Sequence, residues 1–417
     1  MNLAKAFKVL NALGNILALI ISFAILGIFL YLKIHIGIVL VATSIIMTFI
    51  SLGPLSVPDI ILRTACDGNT IRLVIITSLI MILISIYKET GYIDRLSKSL
   101  RKILKKSSLS LMIIPAVLGL LPVAGGALMS APLVDIEGDR LKLSASEKVF
   151  INIWFRHLVF LIYPLSQVLI LIATLSGVSI WSIIIRQMPV MIFMLVLGFA
   201  ISFIRRSELR HDTSHESYLG NKHAYYQLYI ELLKTILPII IPVLISILVE
   251  LDLSISILVG IIILIILSRP RYIVFKHILK DSKLYLIILA AFGAMLLRNT
   301  IIHTGIQNFI ASSIIRIHIP FTLLMILLPM ILAILTGMTY SSLAISIPIL
   351  QTISDFTVKE ASLAYISAFI GYLGAPTHLC LILSLNYFRS SLFMAYKYLL
   401  PANVATLVFA VLLYLVW

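Results

Sequence analysis

Ten runs of roughly 17 to 25 apolar residues constrain this chain more than any other feature. They fall at about 10–32, 34–52, 71–87, 149–175, 182–204, 228–249, 253–268, 284–301, 361–385 and 394–417. A helix rises 1.5 Å per residue, so runs of this length cross the ~30 Å hydrocarbon layer of a bilayer. Of the 417 residues, 61% are hydrophobic and 12% charged, against about 45–50% and about 25% in a soluble domain. The expectation is an all-α membrane protein with about ten transmembrane helices. It would pass repeatedly through the cell membrane, with the lipid bilayer as its first partner.

The net charge of +15 does not make nucleic acid an expected partner. The basic residues sit in short clusters between apolar runs, where they serve membrane orientation. Cys66 and Cys380 lie far apart and match no metal-ligand spacing, so neither a disulfide framework nor a zinc site is expected. Lys5 and Lys8 ahead of the first apolar run imitate a signal peptide. The run is about 23 residues long and no A-x-A site precedes Lys33, which points to a retained helix.

The longest polar stretch, RRSELRHDTSHESYLGNKH from Arg205 to His223, divides the chain almost equally. A shift of about 214 positions lays the second half over the first. KETGYI (88–93) meets IHTGIQ (302–307), and GGALMSAP (125–132) meets SSLAISIP (341–348), sharing Ser130 with Ser346 and Pro132 with Pro348. PLSQVLIL (164–171) meets PTHLCLIL (376–383). Three matches in one order at nearly one offset indicate an internal duplication: a first repeat over 1–206, a cytoplasmic linker over 207–221 and a second repeat over 222–417.

Two further apolar runs, 109–134 and 320–350, are interrupted by Gly, Pro and small polar residues. If each crosses the bilayer the repeats are parallel; if each dips in and returns, they are inverted. With the dipping geometry and both termini outside, about 23 of the 32 Lys and Arg lie inside and roughly 8 outside. The positive-inside rule therefore favours two re-entrant hairpins and two inverted-topology repeats. Segments 91–106 and 305–317, ahead of the hairpins, are too short and polar to span. GYIDRLSKSLRKILKK gathers Ile93, Leu96, Leu100, Ile103 and Leu104 on one face, as a helix lying in the membrane interface would. A cytoplasmic loop helix is the other reading.

Non-helical backbone survives at membrane depth only where protein encloses it or it lines a wet cavity. The hairpin tips are such places. Gly125 and Gly126 let a ligand approach backbone and the following helix N-terminus; Thr336, Thr339, Ser341 and Ser342 supply hydroxyls. Small residues that merely permit close helix packing are the structural alternative. The span after each hairpin is broken in the matching place, at Tyr163-Pro164-Leu165-Ser166 and at Gly371 to His378, which adds Ser166, Thr377 and His378 as candidate solute contacts. Arg156 and His157, with Asn152 one turn before on the same face, are the sharpest polar signal within a span. An arginine there costs about 2.5–3.5 kcal/mol on insertion scales and needs protein or water around it. It contacts an anion, or it snorkels to headgroups or pairs with a structural acid; His157 alone reads more often as a packed, hydrogen-bonded core residue. All 17 Asp and Glu fall at span ends or in loops. No carboxylate offers itself as a proton carrier, which leaves a histidine-borne proton or a sodium ion held by carbonyls and hydroxyls, with Gly125, Thr336, Thr339 and Thr377 as candidate sodium positions. No cofactor and no enzyme are expected, because H-E-x-x-H, G-x-S-x-G and Walker A signatures are all absent from the sequence.

LPVAGGALMSAPLVD followed by FINIWFRHLVFLIYPLSQ, together with GMTYSSLAISIP and YLGAPTHLCLILS, resembles the domain-of-unknown-function family 401 of integral membrane proteins. More loosely the chain resembles the ion transporter superfamily of gluconate, citrate, C4-dicarboxylate and arsenite carriers. That resemblance implies a scaffold part and a mobile part made of hairpins and broken helices, moving a small solute by an elevator-like shift. A homodimer follows by analogy only. The tips lack the Ser-Asn-Thr pattern of the dicarboxylate carriers, so a dicarboxylate is not carried over. The expected function is ion-coupled secondary transport of a small, carboxylate-type anion. A cation/proton antiporter, which would want buried acids, and a membrane enzyme or non-transporting scaffold are the alternatives.

Overall fold

A computed structural model describes residues 3–32, 34–103, 109–120, 126–203, 222–306 and 319–417. Among these residues it contains nineteen α-helices, one 3-10 turn and no strand. In the first half, α1 is Leu3–Tyr31, α2 Ile36–Leu52, α3 Ser56–Cys66, α4 Gly68–Glu89, α5 Tyr92–Ile103, α6 Ser110–Gly119, α7 Ala127–Arg140, α8 Ala145–Leu158, α9 Gln167–Ser176 and α10 Ile180–Phe203. In the second, α11 is Lys222–Leu248, α12 Leu253–Ser268, α13 Tyr272–Lys280, α14 Ser282–Thr304, α15 Phe321–Thr336, α16 Thr339–Leu350, α17 Val358–Gly374, α18 Leu379–Phe388 and α19 Leu392–Val416.

Six stretches among the described residues are long and apolar enough to cross a membrane: Gly68–Glu89, Ile180–Phe203, Tyr226–Leu248, Ser282–Thr304, Val358–Phe388 and Leu392–Val416. This is a helical membrane protein. Of the other four runs read as spans, three are shorter apolar helices, Leu17–Tyr31, Ile36–Leu52 and Leu253–Ser268; the fourth is interrupted, and hydropathy does not register where a helix breaks. The run 149–175 is one case: α8 stops at Leu158, a 3-10 turn Val159–Leu161 and a bend through Pro164 follow, and α9 starts at Gln167. Within Val358–Phe388, residues Ala375-Pro376-Thr377-His378 separate α17 from α18. In both places proline removes a backbone donor and pushes the preceding residue out of the helical region.

The chain divides into two compact units, each drawing on both halves of the sequence. The first comprises Met1–Met81, Gln167–Ile183 and Lys280–Phe369. Here α2 and α14 lie backbone to backbone: a Cβ on Gly37 would sit 2.7 Å from the Ala290 nitrogen, and one on Gly293 2.9 Å from Leu40 Cβ. Such contact through small residues is how helices associate where lipid supplies no hydrophobic drive. Asn299 Nδ2 donates to Thr64 Oγ1 at 3.1 Å and ties α14 to α3. α15 and α16 form a helical hairpin whose turn is Gly337, with φ of 66°. Its N–H closes onto the Ala333 carbonyl at 2.8 Å, a left-handed helix end that glycine accepts without penalty. Ser342 Oγ donates to the Pro329 carbonyl at 2.5 Å and joins the two arms. At 16 and 12 residues, the arms reach about 24 and 18 Å, less than the hydrocarbon thickness.

The second unit comprises Ile82–Ser166, Ile184–Leu279 and Ile370–Trp417. Its centre is α8, whose side chains from Lys148 to Leu158 are all buried among α6, α7, α18 and α19. The α6 backbone approaches so closely that a Cβ on Gly119 would overlap the Arg156 carbonyl oxygen. α6 and α7 pack on each other; the candidate tip residue Gly125 between them lies outside the described residues, as do the linker 207–221 and most of 305–317. α5 is amphipathic as expected, but Ile93, Leu96 and Leu100 are buried where α5 meets α11 and α6. Protein covers the apolar face that the sequence reading gave to the membrane interface, because amphipathicity does not say what the apolar face meets. Ser144 caps α8 in a capping box with Glu147. One residue on, ahead of the apolar run, Lys148 Nζ donates to Asp135 at 2.6 Å and to Asp139 at 2.5 Å. Burial pulls the Lys148 amine down, but the two carboxylate hydrogen bonds outweigh it and hold the amine above its ordinary value.

Candidate functional site

α8 carries three polar side chains into the middle of the second unit. Asn152, fully buried, holds three helices together. Its Nδ2 donates to the Ala127 carbonyl of α7 at 3.1 Å and to Ser384 Oγ of α18 at 2.9 Å, and its Oδ1 accepts from Ser130 Oγ at 2.6 Å. Both amide hydrogens are engaged with protein, so Asn152 acts chiefly as a clamp.

Arg156, 1% exposed, lies one turn further on. Its guanidinium neighbours the side chains of Cys380 and Tyr372. Next to it, His157 is fully buried. Its Nδ1 faces the Ile153 carbonyl at 2.7 Å, which puts the proton on Nδ1 and the lone pair on Nε2. The Tyr372 hydroxyl donates to Nε2 across 3.3 Å. His378, 0% exposed, completes the group. Its ring meets His157 edge-on at 4.9 Å between centroids and tilts over Tyr372 at 3.9 Å. Both His378 ring nitrogens are buried without a hydrogen-bond partner, which costs about 1–3 kcal/mol per orphaned group.

The α17–α18 break organises this corner. His378 is the N-cap of α18 and makes no capping bond with its side chain, so the first-turn N–H groups of α18 look for acceptors elsewhere. On the other side of the break, Tyr396 Oη donates to the Gly374 carbonyl at 2.8 Å. Asn403, one more buried side chain of α19, has neither amide atom hydrogen-bonded. A Cβ on Gly374 would come 3.3 Å from its Nδ2. A guanidinium, a helix N-terminus and buried imidazole and amide groups together form an environment suited to a negatively charged oxygen ligand.

The residues singled out from sequence separate accordingly. Arg156, His157 and His378 meet in the second unit, with Asn152 alongside. Thr377, one residue before His378, is exposed. Ser166 is buried, and its backbone N–H bonds the Tyr163 carbonyl at 2.9 Å. Gly126 is the N-cap of α7. Thr339, Ser341 and Ser342 open α16 in the first unit, all buried. Ser341 Oγ lies 3.8 Å from Met338 Sδ, and Thr336 Oγ1 donates to the Leu332 carbonyl at 2.7 Å. The candidate sodium positions thus divide between Thr336 and Thr339 in one unit and Thr377 in the other.

Tyr372, Cys380, Ser384 and Asn403 escaped the sequence reading. Cys380 carries no local signal, since it stands far from Cys66 in the chain and its partners come from α8 and the helix break. In the fold its sulfur joins one ring nitrogen each from His157 and His378, all within 4.8 Å of one another. Two histidines and a cysteine are a metal-ligand set in their own right.

Fold and site together define a polytopic helical membrane protein with a buried, positively charged polar centre at a helix break. The chain belongs to the family described as "Protein of unknown function (DUF401)", which matches residues 13–417. A comparison with curated proteins finds no match.

Proposed function

We propose that this protein is a secondary active transporter of a small anion of the carboxylate type, coupled to an ion gradient and related to the ion transporter superfamily. The observation that carries the reading is Arg156 buried beside His378 at the start of α18. A buried guanidinium, an imidazole without hydrogen-bond partners and first-turn N–H groups leave a demand for negative charge that a carboxylate meets by accepting several hydrogen bonds at once. Broken helices in a membrane protein serve such sites, since they offer backbone groups at depth.

In this reading the repeats 1–206 and 222–417 are inverted, ten spans and two re-entrant hairpins result, and both termini lie outside. Alternating access is elevator-like. The first hairpin, α6–α7, falls in the second unit and the second, α15–α16, in the first, so a moving part built of both hairpins draws on both units. Sodium at the hydroxyl-rich start of α16 or a proton on a histidine drives the cycle.

Uptake into proteoliposomes tests this with a panel of mono-, di- and tricarboxylates, under sodium or pH gradients of either sign. Gradient-dependent accumulation of at least one carboxylate is expected. Silence across the panel under every gradient overturns the reading.

A further inference from the structure

In the transport reading Cys380 serves only as a neighbour of Arg156, yet its sulfur and one nitrogen from each of His157 and His378 lie within 4.8 Å of one another. We propose that His157 Nε2, a ring nitrogen of His378 and Cys380 Sγ form a three-coordinate site for a soft monovalent cation, Cu(I). The inference goes beyond the transport reading and does not depend on it.

Three observations point to this ligand. His157 is already arranged as a metal-ligating histidine: its Nδ1–H engages the Ile153 carbonyl at 2.7 Å, which leaves the lone pair on Nε2, held only by a long 3.3 Å bond from Tyr372. His378 gives up no protein hydrogen bond on ligating, since both of its buried nitrogens lack a partner. The third is charge. Ligation converts Cys380–SH and Cu(I) into a sulfur–copper bond and a proton released to water. One positive charge replaces another, and the charge of the pocket around Arg156 stays as it was. Zn(II) in the same place adds a full positive charge next to a buried guanidinium, where low dielectric magnifies the repulsion. Thiolate with imidazole is also a donor set that soft Cu(I) accepts.

Bonds of about 2.0–2.3 Å place the donors of such a site about 3.5 Å apart. The cluster therefore closes by about 1 Å from its 4.8 Å spread. His378 and Cys380 sit at the start of α18, whose N-cap makes no side-chain bond, and His157 exchanges a long 3.3 Å bond from Tyr372 for the metal.

The test uses the purified full chain in detergent, under anaerobic and reducing conditions. Cu(I) is titrated in competition with bicinchoninate, and Zn(II) against its own chromogenic chelator. One Cu(I) per chain is expected in the wild type and in Cys66→Ser, with at least tenfold weaker binding in Cys380→Ser. X-ray absorption of the copper-loaded wild type, which needs no variant, should give one sulfur and two imidazole nitrogens around copper. No copper uptake, equal uptake by Cys380→Ser, a shell without sulfur, or tighter binding of Zn(II) than of Cu(I) each overturns the proposal.

Discussion

Arg156 and Lys148 are two buried basic residues two turns apart on α8, and the fold treats them differently. Lys148 meets Asp135 and Asp139, whose side chains are 40% and 72% exposed; Arg156 meets a sulfur, a hydroxyl and the histidines. Lys148→Met should therefore cost stability, by about 1–2 kcal/mol, since the acids it leaves can turn to water. Because the Lys148 amine is held above its ordinary value of 10.5, its contribution is complete below that pH and is lost as pH rises through the raised value. Thermal unfolding in detergent should separate wild type from Lys148→Met at pH 8, and the two should converge on the alkaline side of 10.5. For Arg156→Gln the expectation is opposite in kind. Removing a charge from the interior leaves the thermal midpoint level or raises it, while carboxylate uptake falls about 10- to 150-fold through loss of one charge-assisted contact. Arg156→Lys should not restore uptake, because a point charge does not reproduce the guanidinium fork. Arg156 and His378 were legible in the sequence because a charge in an apolar run and a histidine beside a proline are local signals. Tyr372 was not, since it lies 215 positions from the His157 it bonds, and only the fold brings them together.

The elements differ in how plainly the chain announces them. Glycine and proline wrote the second hairpin turn and both helix breaks into the sequence, because each acts on the backbone at its own position. The length of the helices between them was less legible, since an apolar run continues through a break without change of composition. Nor did the apolar face of α5 say whether lipid or α11 would cover it. Two glycines make the element scale testable. Gly337→Ala puts a Cβ at φ of 66° and should destabilise by about 1–2 kcal/mol. Gly119→Leu wedges α6 away from the Arg156 carbonyl, so a larger loss of thermal stability is expected, together with loss of uptake, because α8 shifts with its neighbour. Circular dichroism melts and the uptake assay check both.

At the scale of the whole molecule, both compact units take segments from each half of the sequence, so neither half makes a unit by itself. The inverted arrangement predicts that single cysteines placed in the linker 207–221 and in the loop 354–357, in a background without Cys66 and Cys380, react with impermeant maleimide from opposite sides of a sealed vesicle. Labelling from one common side defeats the inverted topology and with it the transport cycle built on it. The wrapping of α8 also sets an order of events during synthesis. Asn152 waits for Ser384, 232 positions later, and at about 5–20 residues per second the ribosome needs roughly 10–50 s to deliver it. For that interval the newborn chain holds an amide, a guanidinium and an imidazole with part of their wrapping still unmade. A nascent chain stalled before α18 is thus an exposed target for membrane quality control, and the last tenth of the protein decides whether its middle survives.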